Sequence, residues 1–292
     1  MKSIKLKDRL KKWNWLYAFD REYAKLRLER EVFWNDAVSV CQDAPQHLRD
    51  YKRALRRQRV SYKEYEAYRF IDLDEKQRSQ YISEMQLKSV YRKTIEIEVL
   101  ECFDNKMMSH VKFAKFMHRA WMCPVLSSFE TFEHFVSSRD CIVKPWKGSL
   151  GMGIFLVKEG ECDDLKSLYE RCRQEHLIVE ERVHACQEIE AFHPQSLNTI
   201  RVMTMSNGER TELIGAMFRM GTGEQVVDNG SAGGILAPID IETGIVIGNG
   251  RAKDGTQFVE HPDSHIPICN FQIPYWKQVV DACKELASLV KG

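Results

Sequence analysis

A chain of 292 residues with 43% apolar and 10% aromatic residues can bury a core, either as one large domain or as two modest ones. Its 43 Lys and Arg nearly cancel its 42 Asp and Glu, so overall charge gives no reason to expect nucleic acid or a membrane surface as the main partner. The nine cysteines are scattered and never spaced as Cys-x-x-Cys, which argues against a disulfide framework or a zinc site and for a reducing compartment.

From Lys2 to about Ile95 the sequence is charged, lacks glycine, and carries Trp13, Trp15, Tyr17, Phe19, Tyr23, Phe33 and Trp34 at mixed helical spacings. Residues 1–100 therefore read as a helical region, broken once at Pro45, with the run Lys52 to Arg59 on the outer face of a helix. The first 70 residues hold 18 Lys and Arg against 10 Asp and Glu, so a basic N-terminal region precedes a mildly acidic body. That basic face is expected to meet solvent, with an anionic glycan or a phospholipid surface as alternatives. Met1 to Lys12 lacks the apolar run of a signal peptide, and no stretch of about 18 apolar residues occurs. The expected location is cytoplasmic.

Beyond Asp140 the composition changes, with all but one of the 16 glycines falling between Gly148 and Gly255 among β-branched runs. Strands are predicted over Cys141 to Lys144, Ile154 to Val157, Leu177 to Glu180, Asn198 to Met205 and Leu213 to Met220. Asn207-Gly208 marks a hairpin between the last two. Surface helices are predicted over Asp163 to Gln174 and Tyr275 to Val290, the latter with Val279, Val280, Cys283, Leu286, Ala287 and Val290 on one face.

The segment Val143-Lys144-Pro145-Trp146-Lys147-Gly148-Ser149-Leu150-Gly151-Met152-Gly153-Ile154 puts a lysine at a strand end and three glycines in the following turn. Glycine lets backbone N–H groups lie against phosphate oxygens, and the lysine adds a mobile point charge. The segment lacks the Gly-Lys-Ser/Thr of a Walker A loop, and a strand follows the glycines where a dinucleotide fingerprint needs a helix. Taken alone it fits a phosphate-covering loop or a plain glycine-rich hairpin equally well.

Lys-Pro-x-x-Gly-Ser-x-Gly-x-Gly after a strand resembles the phosphate-covering loop of the ATP-grasp superfamily, and other segments match in order. Leu177 to Val183 resembles its adenine hinge strand, and Asp104-Asn105-Lys106-Met107 its first ATP-binding lysine. Asn198 to Val202, Phe218 to Met220 and Asp228 to Gly234 look like the alpha-L-glutamate-ligase-related or sugar-transfer-associated ATP-grasp proteins, so that the likeness spans roughly Phe103 to Trp276.

The resemblance implies an α+β ATP-grasp fold over residues 101–292, with two α+β lobes around ATP, the first about 101–180 and the second about 181–292. It assigns Lys106 and Lys144 to the phosphates under a flexible lid that includes Gly148, Ser149, Gly151 and Gly153. It sets Glu180, Glu181 and Val183 at the adenine, with Gln187 or Glu188 at the ribose. Arg201 and Arg219 sit inside apolar runs, where a charge needs a partner. They would clamp the γ-phosphate or acyl phosphate with help from Asn229; an internal salt bridge is the plainer reading of each. The implied chemistry is ATP-dependent ligation of a small carboxylate to an amine or a sugar-linked acceptor through an acyl phosphate, in polysaccharide or envelope modification, with Mg²⁺ between the phosphates. The histidines His110, His118, His184, His193, His261 and His265 receive no role.

The sequence also departs from that family. The family normally closes with an aspartate on one strand and Glu-x-Asn on the next, and no Glu-x-Asn follows the hairpin. The metal-binding C-terminal strands are thus expected to be missing, Asp228 and Asp240 being weak substitutes, and no metal ligand is assigned. Either the natural chain continues past Gly292 or this is a non-catalytic ATP-binding relative. No α/β pattern precedes the ATP-grasp-like part; a helical region stands in its place.

Overall fold

The computed structural model describes residues 45–94, 97–148 and 151–290. The aromatics from Trp13 to Trp34 and the loop residue Ser149 lie outside the described residues. The chain divides into two compact units, the first ending at Ile97 and the second running from Glu98.

The first unit is helical where described: α1 (Pro45–Arg57), α2 (Tyr62–Ala67), α3 (Glu75–Arg78) and α4 (Glu84–Thr94). Pro45 opens α1 at the position where a missing N–H costs nothing, so the residue that interrupts the sequence pattern is a helix start. Ser61 with Glu64 and Asp74 with Gln77 form reciprocal capping boxes at the starts of α2 and α3. Tyr51, Ala54, Val60, Tyr65 and Phe70 make the core, while Lys52, Arg53, Arg56 and Arg57 face outward. Arg78 is only 4% exposed, and its guanidinium pairs with Asp50 at 2.6 Å and donates to the Phe70 carbonyl. Burial alone would raise the Asp50 carboxyl, but Arg78 and the Tyr65 hydroxyl hold it below the usual range.

Helix α5 (Ile97–Asp104) starts at the boundary and leads the second unit into α6 (Lys106–Lys112), which is capped by the Asn105 side chain accepting from the Met107 N–H. There follow β1 (Trp121–Met122), α7 (Phe129–Ser137), β2 (Cys141–Pro145), β3 (Phe155–Val157), α8 (Leu165–Gln174) and β4 (Leu177–Glu181). The four strands form an antiparallel sheet in the order β1-β4-β2-β3. Cys141, Val143, Leu177 and Val179 point into a core with Phe132, Val136, Tyr169 and Cys172. Strand alternation then places Ile142, Lys144 and Glu180 on the opposite face.

The rest of the unit holds α9 (Gln187–Glu190), β5 (Thr199–Ser206), β6 (Thr211–Met220), β7 (Ile235–Ile239), β8 (Gly250–Arg251), β9 (Gln257–Phe258) and α10 (Trp276–Ser288), with the strands antiparallel in chain order. The β5–β6 turn is wider than a two-residue Asn-Gly connection. Four residues, Asn207 to Arg210, lie between the paired Ser206 and Thr211, and the Asn207 side chain accepts from the Glu209 and Arg210 N–H groups. Ile200, Val202, Ala216, Phe218, Ile235, Ala237 and Ile239 bury one sheet face.

Gly244, at φ +76°, is pressed against α10: a Cβ there would stand 2.3 Å from Trp276 Cγ. Gly244→Ala is expected to cost about 2–4 kcal/mol, combining an unfavourable φ with overpacking. An unchanged urea midpoint would contradict this packing.

Candidate functional site

Backbone pairing explains how distant residues meet. Ile142 on β2 lies opposite Glu180 on β4, Trp121 on β1 lies opposite the same Glu180, and Lys144 lies opposite Ile178. Lys144 and Glu180 are thus diagonal neighbours on one face, within reach of long side chains. The Lys144 Nζ sits 2.6 Å from Glu180 Oε1.

Glu180 is the hub of this face and is only 2% exposed. His110 Nε2 lies 2.6 Å from the same Oε1, and Arg119 Nε lies 3.0 Å from Oε2, close enough for charge attraction although not aligned as a hydrogen bond. Burial works to raise the Glu180 carboxyl, but the Lys144 and Arg119 charges and the hydrogen bonds from Lys144 and His110 outweigh it and hold it low. Burial likewise pulls the Lys144 ammonium down, against Glu180. Glu180 and Lys144 shift the same way for different reasons: one carboxylate gains several donors, while each cation shares one carboxylate and loses water.

Lys106 approaches from the start of α6. Burial lowers its ammonium, opposed by Glu180 and Asp104, and its Nζ donates to the Gly148 carbonyl at 2.9 Å. The Lys106 N–H donates to the Trp146 carbonyl, and Asn105 bridges to Lys147, so the root of the glycine loop is tied to the helix start. Gly148, Gly151 and Gly153 all adopt positive φ. A Cβ on Gly151 would lie 3.5 Å from Val227 and 3.6 Å from Asn229, which brings the loop to the second sheet's lead-in segment.

A cavity of about 190 Å³ lies between these parts, lined by Lys144, Ile154, Glu180, Glu181, Val183 and Asn229 among others. Glu181 and Arg182 spend their N–H groups on Ala120 and Asp140, and the Glu181 carboxylate accepts from the Ala120 N–H. The Val183 N–H has no protein acceptor among the described residues. Gln187 and Glu188 are exposed on α9 and are not among the residues that line the cavity.

Arg219 meets Asn229 at the cavity wall, which Thr199, Asp228 and Asn229 help to line. The Arg219 guanidinium donates to Asp228 at 2.7 Å and to the Asn229 side chain at 2.9 Å, and the Thr199 hydroxyl donates to the other Asp228 oxygen. The internal salt bridge is therefore present for Arg219. Burial pushes the Asp228 carboxyl up, against Thr199 and Arg219, and pulls the Arg219 guanidinium down. Arg201, expected inside an apolar run, is exposed on β5, because alternation turns Ile200 and Val202 inward and Arg201 to the open face.

His110 and Arg119 were not assigned roles by sequence reasoning. His110 follows Lys106 by one helical turn, which puts both on one face of α6, and that spacing is the signal that marks it. Among the described residues no group of three or more His, Cys, Asp or Glu side chains could hold a metal ion. Among the same residues no helix is long and apolar enough to cross a membrane.

The family model for sugar-transfer associated ATP-grasp proteins matches residues 102–291. No curated protein matches the chain. Among solved structures the chain is similar to the D-cycloserine synthetase DcsG, at 10% identity and a TM-score of 0.33, over 65% of this chain and 72% of that one.

Proposed function

We propose that this chain, which belongs to the sugar-transfer associated ATP-grasp family and has its α+β fold, binds ATP and activates a small carboxylate for ligation. One observation carries the reading: Lys144, Ile154 at the exit of the glycine loop, and hinge residues Glu180 to Val183 line one cavity. A nucleotide fits this donor set. The unbonded Val183 N–H suits an acceptor nitrogen of adenine, and Lys144 with Lys106 supplies the charge that phosphates need.

ATP would donate its γ-phosphoryl group to a carboxylate, releasing ADP, and an amine or sugar-linked acceptor would then displace phosphate. Position and charge neutralisation are the protein's main contributions to such a transfer. In this reading Arg219, held by Asp228 and Asn229, and the exposed Arg201 would neutralise the transferred group. The sugar-linked acceptor, and with it a role in polysaccharide or envelope modification, is supported by the family's description alone. Mg²⁺, which would accompany ATP, meets no group of three or more His, Cys, Asp or Glu side chains among the described residues.

Calorimetric titration of Mg-ATP, with ADP as a control, tests the reading. Binding in the micromolar to low-millimolar range is expected, at least tenfold weaker in Lys144→Met. Equal binding by both proteins would defeat the assignment of Lys144. ADP release that depends on an added carboxylate would then separate a ligase from a non-catalytic ATP binder.

A further inference from the structure

The second sheet buries one face and leaves the other open. Register defines the open face: Thr199, Arg219, Leu236, Arg251 and Gln257 stand in one row across β5 to β9, and Arg201, Met217 and Pro238 in the next. A groove of about 1090 Å³ follows this face. Four cations, Arg201, Arg219, Arg251 and Lys253, line it against one acid, Asp240, whose Oδ1 is already occupied by Glu242 and Thr243 of its own turn. Arg219 is matched by Asp228; Arg201, Arg251 and Lys253 have no acidic partner among the described residues.

The cations fall in two places. Arg201 is close enough to Arg219 to disfavour its charge, and Arg219 adjoins Asn229, which lines both this groove and the cavity next to Lys144. Arg251, on β8, lies two strands from Arg219, about 10 Å in backbone terms, and Lys253 follows it in the turn toward β9. Between them the floor is apolar, with Leu236 directly in the row and Met217 and Pro238 beside it. An aqueous groove built only to be wet gains nothing from unpaired cations separated by an apolar floor; an anion with an apolar body satisfies both.

We infer that the groove takes an apolar-bodied substrate with two acidic groups, one at Arg201 and Arg219 where it would meet the γ-phosphate, the other at Arg251 and Lys253. The reacting end of this assignment rests on the nucleotide site proposed above; the groove itself does not. Whether the second group is a carboxylate or a phosphate, the recognising chemistry is the same.

The test uses sebacate, a straight-chain dicarboxylate, beside decanoate and 1,10-decanediamine, titrated by calorimetry into the wild-type chain and the Arg251→Glu/Lys253→Glu double variant. Both changed residues are exposed, and thermal unfolding checks that the variant folds. Sebacate is expected to bind at least tenfold more tightly than decanoate, the diamine not at all, and the double variant to lose the tenfold advantage. A phosphate-ended decanoate that outcompetes sebacate would support the groove and name the second group. Equal affinity for sebacate and decanoate, no binding of sebacate, or indifference to charge reversal would overturn the proposal, as would a stable dimer of the chain that the charge reversal dissociates. Mg-ATP titrated in parallel separates the two readings: reversal-sensitive sebacate binding without ATP binding would sink the nucleotide site and leave the groove standing.

Discussion

Glu180→Ala is expected to lower the free energy of unfolding by about 3–5 kcal/mol, the range for removing one partner of a buried ion pair. The carboxylate holds Lys144 and His110 on one oxygen and Arg119 on the other. Without it, two cations and a histidine face each other with no anion to offset their repulsion or their lost water. Glu180→Gln keeps the shape but turns an NH₂ donor toward groups that are themselves donors, so it is expected to cost nearly as much. Denaturant midpoints at pH 7 decide the matter: a Glu180→Gln protein as stable as the wild type would remove Glu180 from the centre of the site.

The same pair of proteins carries a pH signature. The Glu180 carboxyl is held below its ordinary 4.5, and a carboxyl depressed by folding stabilises fully above its unfolded pKa and loses that contribution as pH falls through its folded value. The gap between wild type and Glu180→Gln should therefore be flat from pH 7 to about 5 and shrink only on further acidification. A gap that grew toward acid would mean that folding raises the carboxyl instead of lowering it.

Asp228→Ala is expected to cost about 3 kcal/mol, because it strands the Arg219 guanidinium beside Asn229 alone and takes the acceptor from the Thr199 hydroxyl. Asp228→Asn should cost only about 1 kcal/mol. Burial already pushes the Asp228 carboxyl up, so an uncharged amide is easier to hold there, and its carbonyl still accepts from Arg219. Thermal unfolding of the two variants measures the order. If Asn proved the worse replacement, charge rather than hydrogen bonding would be what Arg219 requires at this point.

Strands β2 to β6 and the helices over Leu165 to Gln174 and Trp276 to Ser288 were legible because their periodicity is local, and residues two or four apart decide it, whereas the two-residue β1, β8 and β9 and the Pro238-containing β7 gave no such pattern. The glycine loop was legible too, since positive φ at Gly148, Gly151 and Gly153 is a property the residue type announces. Glu180 was legible by position and not by contact. The hinge resemblance offers its backbone, whereas its side chain gathers Lys144, His110 and Arg119 from positions 36 to 70 residues away: strand register delivers Lys144, α6 delivers His110, and the segment leading into β1 delivers Arg119. Arg201 and Arg219 look alike in sequence but differ in structure. Both lie on the open face, yet Arg219 is roofed by the Asp228–Asn229 turn and Arg201 is not, a difference that depends on a loop nine residues downstream of Arg219.

The stacking of His110 on Trp121, ring centres 4.6 Å apart and planes 16° from parallel, gives the ion cluster an optical reporter. Indole emission responds to the charge and motion of a ring lying against it, so any event that disturbs the His110–Glu180 contact should change Trp121 fluorescence. Trp146 touches His176 at the root of the glycine loop, and Trp276 is buried in the core under the second sheet with its N–H donated to the Ile241 carbonyl. Three indoles thus stand at three separate stations of the second unit. Replacing them singly by Phe would turn one emission titration into a map of where a ligand is first felt.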